Sequence, residues 1–113
     1  MNQKVTINGI DIEMGSDNPY ADLGFPDADE MLIKAKLAHQ IAQIVKSRHL
    51  TQQRAADLLS MPQPKLSEML RGKFRGISQA KMIECLNRLG RDVEIVVKKG
   101  GSSSLGRTQV VVA

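Results

Sequence analysis

Between residues 29 and 90 the apolar positions recur at helical spacing, and turn-forming residues cut the pattern into four pieces. Leu37, Ile41, Ile44 and Val45 form one stripe, extended upstream by Met31, Ile33 and Ala38, which predicts a long helix from about Asp29 to Arg48. Asp27, Asp29 and Glu30 at its start suit the positive end of the helix dipole. A second helix opens at Thr51, whose hydroxyl can accept from the free N–H groups of the next turn. It carries Ala55, Leu58 and Leu59 inward and Gln52, Gln53, Arg54 and Asp57 outward, and Ser60-Met61-Pro62 breaks it. A third, short helix turns Leu66, Met69 and Leu70 inward and Gln63, Lys65, Ser67 and Glu68 outward, ending at Gly72. The fourth runs from Ser78 to Leu89, with Ala80, Ile83, Leu86 and Leu89 inward and Gly90 as its stop.

Outside this window the period changes. Residues 4–13 alternate Val5, Ile7, Ile10 and Ile12 around Asn8-Gly9, a short-hairpin signal, although two strands alone are marginal in water. Residues 15–27 are rich in turn formers, with Pro19 and Pro26 setting irregular backbone. Val93-Glu94-Ile95-Val96-Val97-Lys98 is β-rich, and a lone strand leaves its backbone groups without partners. It must pair with the N-terminal hairpin or with a second copy of itself. Residues 100–106, GGSSSLG, read as a flexible linker, and the final TQVVVA pairs weakly or stays loose. The chain therefore divides into an acidic arm with a short hairpin (1–28), a helical body (29–91), a C-terminal strand (92–99) and a flexible tail (100–113).

Composition narrows the function classes. At 113 residues there is room for one modest core and little for a separate catalytic domain. Tyr20, Phe25 and Phe74 are the aromatics, too few for a single-strand binder that stacks bases. With no apolar run long enough to span a bilayer and no signal-peptide pattern, a cytoplasmic protein without membrane contact is expected. Charge is unevenly placed: residues 1–30 hold one Lys against seven acids, whereas residues 31–113 hold fifteen Lys/Arg against five acids. An acidic head on a basic body points to a polyanionic partner for the body. His39, expected half-buried, and His49, expected at an exposed helix end, lie ten residues apart with no carboxylate constellation, and Cys85 has no evident base. No enzyme, metal site or cofactor is expected.

Two short helices joined by a tight turn can offer the polar face of the second to the DNA major groove. Over residues 50–72, LTQQRAADLLSMPQPKLSEMLRG, the chain resembles the helix-turn-helix of Xre-type repressors, the group that includes the lambda-class phage repressors. Leu50-Thr51-Gln52, Ala56, Gln63, Leu66, Ser67, Arg71 and Gly72 carry that match. The run SDNPYADLGFPDADEMLIKAKLA at 16–38, this motif and DVEIVVKK together are similar to HigA antitoxins of toxin–antitoxin pairs. The resemblance implies a lambda-repressor-like, mainly α bundle with a C-terminal β-strand, and a dimer built through Val93, Ile95 and Val97. It also implies a palindromic double-stranded operator, and a basic ribonuclease toxin as a further partner.

Candidate contacts follow from the polar face and the resemblance together. Gln63, Lys65, Ser67 and Glu68 are the base-reading set, led by Gln63, whose amide matches the adenine edge. Gln52, Arg54, Arg71, Lys73 and Arg75 are the phosphate set, and the resemblance has Gln52 also brace Gln63. Two prolines depart from the family pattern. Pro64 disfavours helical backbone at the residue before it, which puts Gln63 at the N-cap rather than inside the helix. With Pro62, it also removes two N–H donors that could hold a phosphate. The expected function is a dimeric, autoregulatory repressor that in a toxin–antitoxin pair would also be the antitoxin. The alternative is a protein-interaction module that holds a basic partner without specific DNA binding. The acidic segment serves a basic partner or is simply a packing arm.

Overall fold

Helix α2 (Ala28–Ser47) is the spine of the molecule; its buried stripe holds the predicted Met31, Leu37, Ala38, Ile41, Ile44 and Val45, with Ala35 added and Ile33 only partly buried. The computed structural model describes residues 3–7, 10–14, 18–101 and 105–113. In chain order the elements are β1 (Gln3–Ile7), β2 (Ile10–Met14), α1 (Pro19–Asp22), α2, α3 (Gln52–Leu59), α4 (Gln63–Leu70) and α5 (Gln79–Arg88). Helices α1, α4 and α5 lie against α2, and α3 bridges α4 and α5. Between them Ile41, Leu59, Leu66, Met69, Met82 and Leu89 are buried essentially completely. Each such side chain adds about 1.5–3 kcal/mol of apolar burial, which is how short helices persist that would melt alone.

The ends of the helices are chemically marked. Thr51 Oγ1 accepts from Arg54 N at 3.1 Å and Ser78 Oγ from Lys81 N at 3.1 Å. Gly72 and Gly90, at φ +87° and +84°, take the left-handed backbone that ends α4 and α5. Within residues 15–27, read as turn, the short helix α1 forms because Asn18 Oδ1 accepts from the amides of Tyr20 and Ala21 while Pro19 sits at its first position. It delivers Tyr20 into the core, with no exposure at all.

Strands β1 and β2 pair antiparallel with Ile7 opposite Ile10 and Val5 opposite Ile12, the hairpin expected from the alternation. Its turn residues Asn8 and Gly9 lie outside the described residues, as do 102–104 of the linker. Strand β1 approaches α2, which gives the hairpin the supporting surface it needs.

Three expectations are corrected. Leu58, placed inward, is 43% exposed: the buried stripe of α3 is Ala55, Ala56 and Leu59, and Leu58 lies roughly 110° around the helix from its centre. Ala80 is likewise exposed, because α5 buries Met82, Cys85 and Leu86 on the opposite side. The strand expected over 92–99 does not form within the chain, since residues 91–100 hold neither helix nor strand. Among the described residues the N-terminal sheet has two strands, β1 and β2, and neither pairs with this segment. Val93 packs half-buried against the core, but Ile95 and Val97 are 82% and 93% exposed. Further on, Val110 returns to pack on the core.

Candidate nucleic-acid interface

The turn between α3 and α4 is set by backbone bonds and one strained residue. Ser60 closes α3 in the left-handed conformation at φ +52°, a region costly for any side chain but glycine, and Met61 N donates to Ala56 O at 3.0 Å. The chain then enters α4 through Pro62, whose carbonyl accepts from both Lys65 N (3.0 Å) and Leu66 N (3.1 Å). This corrects the position expected for Gln63. Pro62 is the N-cap and Gln63 is the first helical residue, with Pro64 at the second. The restriction that proline places on its predecessor is a preference, and here the double bond to the Pro62 carbonyl outweighs it. Pro64 costs nothing further, because an amide in the first turn would have no helical partner.

Leu66 and Met69 anchor α4 in the core, leaving Lys65 and Glu68 outward and Gln63 and Ser67 half-buried at the edges of that face. Gln63 Nε2 donates to Gln52 Oε1 at 2.8 Å, the brace that the resemblance implies. The bond uses one of two Nε2 hydrogens, so the Gln63 amide still presents one donor and its own oxygen. Lys65, Glu68 and Lys73 line one solvent-open groove of ≈ 440 Å³ together with Pro62, Pro64, Gly76 and Ile77. Two base-reading candidates, Lys65 and Glu68, thus share a surface with one phosphate candidate, Lys73. Among the described residues the side chains of Arg54, Lys65, Glu68 and Lys73 have no hydrogen bond or ion pair, while Arg71 Nε donates to Ser67 O at 3.3 Å.

Arg75 is placed differently. Its guanidinium pairs with the Asp27 carboxylate and lies 5.2 Å from the centre of the Phe25 ring, so it faces the start of α2 rather than the groove. Its carbonyl accepts from Lys34 Nζ at 3.0 Å. Lys34 was missed in the sequence, where it sits between Ile33 and Ala35 in a mostly apolar helical run; it is 5% exposed and also lies 3.5 Å from Glu30. Only the loop folding back over α2 reveals it.

Elsewhere nothing gathers reactive groups. His39 is exposed, not half-buried, because it faces away from the α2 stripe; His49 is exposed at φ +54° after that helix. Burial pushes the Cys85 thiol up, which disfavours the thiolate that nucleophilic work needs. Lys81, bonded to Glu84 at 2.8 Å and with Arg88 nearby, holds the Glu84 carboxyl below its usual range. Among the described residues no cluster of His, Cys, Asp and Glu could hold a metal, and no helix is long and apolar enough to cross a membrane.

Two helices crossing through a tight turn, with the second presenting an uncommitted polar face, define a helix-turn-helix. The family described as "Helix-turn-helix domain" matches residues 19–98. A solved structure described as "Putative XRE Family Transcriptional Regulator" is similar at 37% identity, with a TM-score of 0.71, covering 78% of this chain and 100% of that one. No curated protein matches. The chain belongs to the helix-turn-helix family, of the XRE type.

Proposed function

We propose that this protein is a DNA-binding transcriptional regulator that lays α4 in the major groove of double-stranded DNA. The observation that carries the reading is the groove where Lys65, Glu68 and Lys73 stand without partners among the described residues, beside a Gln63 amide oriented by Gln52. The Gln63 amide, already held by Gln52, has less side-chain freedom to lose on reading a base edge, and the partnerless charges beside it keep their full hydrogen-bonding capacity. In this reading Gln63 contacts adenine, Lys65 guanine or a phosphate, and Glu68 the amino group of cytosine, with Ser67 a minor contact. Gln52, Arg54, Arg71 and Lys73 hold phosphates and fix the register.

The regulator works as a cytoplasmic homodimer on a palindromic operator with half-sites about 34–36 Å apart, and represses by occluding a promoter, its own first. The exposed apolar run at Ile95 and Val97, anchored by Val93, supports pairing with the same segment of a second copy. The seven acids of residues 1–30 support a further role as an antitoxin of the HigA kind, docking a basic ribonuclease toxin.

Fluorescence anisotropy on the DNA upstream of its own gene, against a scrambled duplex at low and near-physiological salt, tests the main reading. Preference for the upstream duplex that survives added salt is expected. Weak, equal binding that disappears with salt would leave a protein-interaction module in its place. The antitoxin role is tested separately, by inhibition of a ribonuclease encoded beside the gene.

A further inference from the structure

Arg75 is held at both ends. Its guanidinium sits on Phe25 and pairs with Asp27, and its backbone carbonyl is bound by the buried Lys34 ammonium at 3.0 Å. All three partners belong to the segment at the start of α2, 41 or more residues earlier in the chain. Phe25 in turn lies 6.0 Å from the fully buried Tyr20 ring, so the anchor reaches the core. Two residues before Arg75, the exposed Lys73 side chain has no partner and lines the groove beside α4. Holding an ammonium in a buried place is costly unless it is well bonded, and this one is directed at the loop that carries Lys73.

We propose that Asp27, Lys34 and Arg75 are positioning residues for DNA binding: they clamp the loop 71–77 onto α2 so that Lys73, and not Arg75, meets the phosphate. This rests on the DNA-binding reading above and adds which cation of the loop works and how it is kept in place. The clamp acts on a loop that the buried Phe74 and Ile77 and the 2.8 Å bond from Lys73 N to Glu68 O already tie to the body, and it fixes the glycine-flanked stretch between Gly72 and Gly76 from its other side.

Asp27→Asn gives a test by sign. Removing a negative charge near a DNA surface, and freeing an arginine beside it, should tighten binding by simple electrostatics. The clamp requires the opposite, a several-fold loss of operator affinity at fixed salt. Lys73→Ala should flatten the slope of log affinity against log salt by about one unit. Arg75→Gln, by releasing the same contact, should flatten it by no more than that, and should flatten it no further in a Lys73→Ala background, where a direct Arg75–phosphate contact would remove about another unit. The loss in Lys34→Met should vanish in a Lys73→Ala background, because both changes remove the same contact. Circular dichroism of each variant verifies the fold, and if Lys34→Met does not fold, Asp27→Asn and Arg75→Gln decide. Tighter binding by Asp27→Asn, or a further flattening of the slope when Arg75→Gln is added to Lys73→Ala, would overturn the clamp. Absence of operator preference in the wild-type protein would instead overturn the DNA-binding reading.

Discussion

The α3–α4 pair and the segment that follows α5 are both read from apolar spacing, and they end in opposite states. In α3 and α4 the apolar residues Ala55, Ala56, Leu59, Leu66 and Met69 all find the core, and among the described residues the outward Arg54, Lys65 and Glu68 keep side chains without partners. In residues 93–97 the backbone has no strand partner and the apolar side chains Ile95, Val96 and Val97 stay in solvent. The difference lies in where backbone bonds are made. A helix closes its own N–H and C=O groups and needs a neighbour only for its apolar stripe, whereas a strand needs a neighbour for its backbone as well. The first element is finished within one chain, and the second is complete only with something beside it.

The comparison can be broken at several points. Leu66→Ala, in the finished half, should lose about 2–5 kcal/mol in denaturant unfolding, because a fully buried side chain leaves a cavity. Near-zero loss would mean that α4 does not depend on the core. Tyr20 provides a pH probe of the same core: burial raises its phenol from 10.0 to about 12, with the Arg75 charge pulling slightly back. An unfolded chain gives up that proton near pH 10 while the folded one keeps it, so stability is intact below pH 10 and falls as pH rises towards 12. The decline is about 1.4 kcal/mol per pH unit within that window. Since the chain has one Tyr and no Trp, phenolate absorbance reports this group alone, and Tyr20→Phe should remove its share of the alkaline decline, leaving the part due to the buried Cys85 thiol.

Smaller effects sharpen the contrast. Thr51→Ala should cost about 1 kcal/mol by releasing the amide cap of α3, whereas Ser60→Gly should raise stability by up to about 1 kcal/mol by relieving the left-handed backbone. Both are checked by thermal melting. Ile95→Lys with Val97→Lys should leave monomer stability within about 0.5 kcal/mol, since those side chains are 82% and 93% exposed. The same pair should abolish self-association in sedimentation velocity. A large loss of stability with no change in association would place the segment inside the fold after all.

Much of the helical body is legible in the residues alone. The α2 stripe, the Thr51 and Ser78 caps, the Gly72 and Gly90 stops and the outward Gln63, Lys65, Ser67 and Glu68 all follow from local rules, because helix period, capping and termination act within a few residues. Such rules misjudge Leu58 and Ala80, where the choice between two neighbouring stripes depends on which way the short helix is rolled against the core. They misplace Gln63 too, because a preference against helix before proline yields to two bonds onto one carbonyl. The groove joining Lys65, Glu68 and Lys73, and the clamp joining Asp27, Lys34 and Arg75, appear only in the folded chain. Their members are separated by up to 48 residues, and the charge of Lys34 reads as an ordinary solvated lysine until a distant carbonyl is brought onto it. Local chemistry specifies elements and their polar faces; which charges remain free to meet a partner is decided when long-range packing uses up the others.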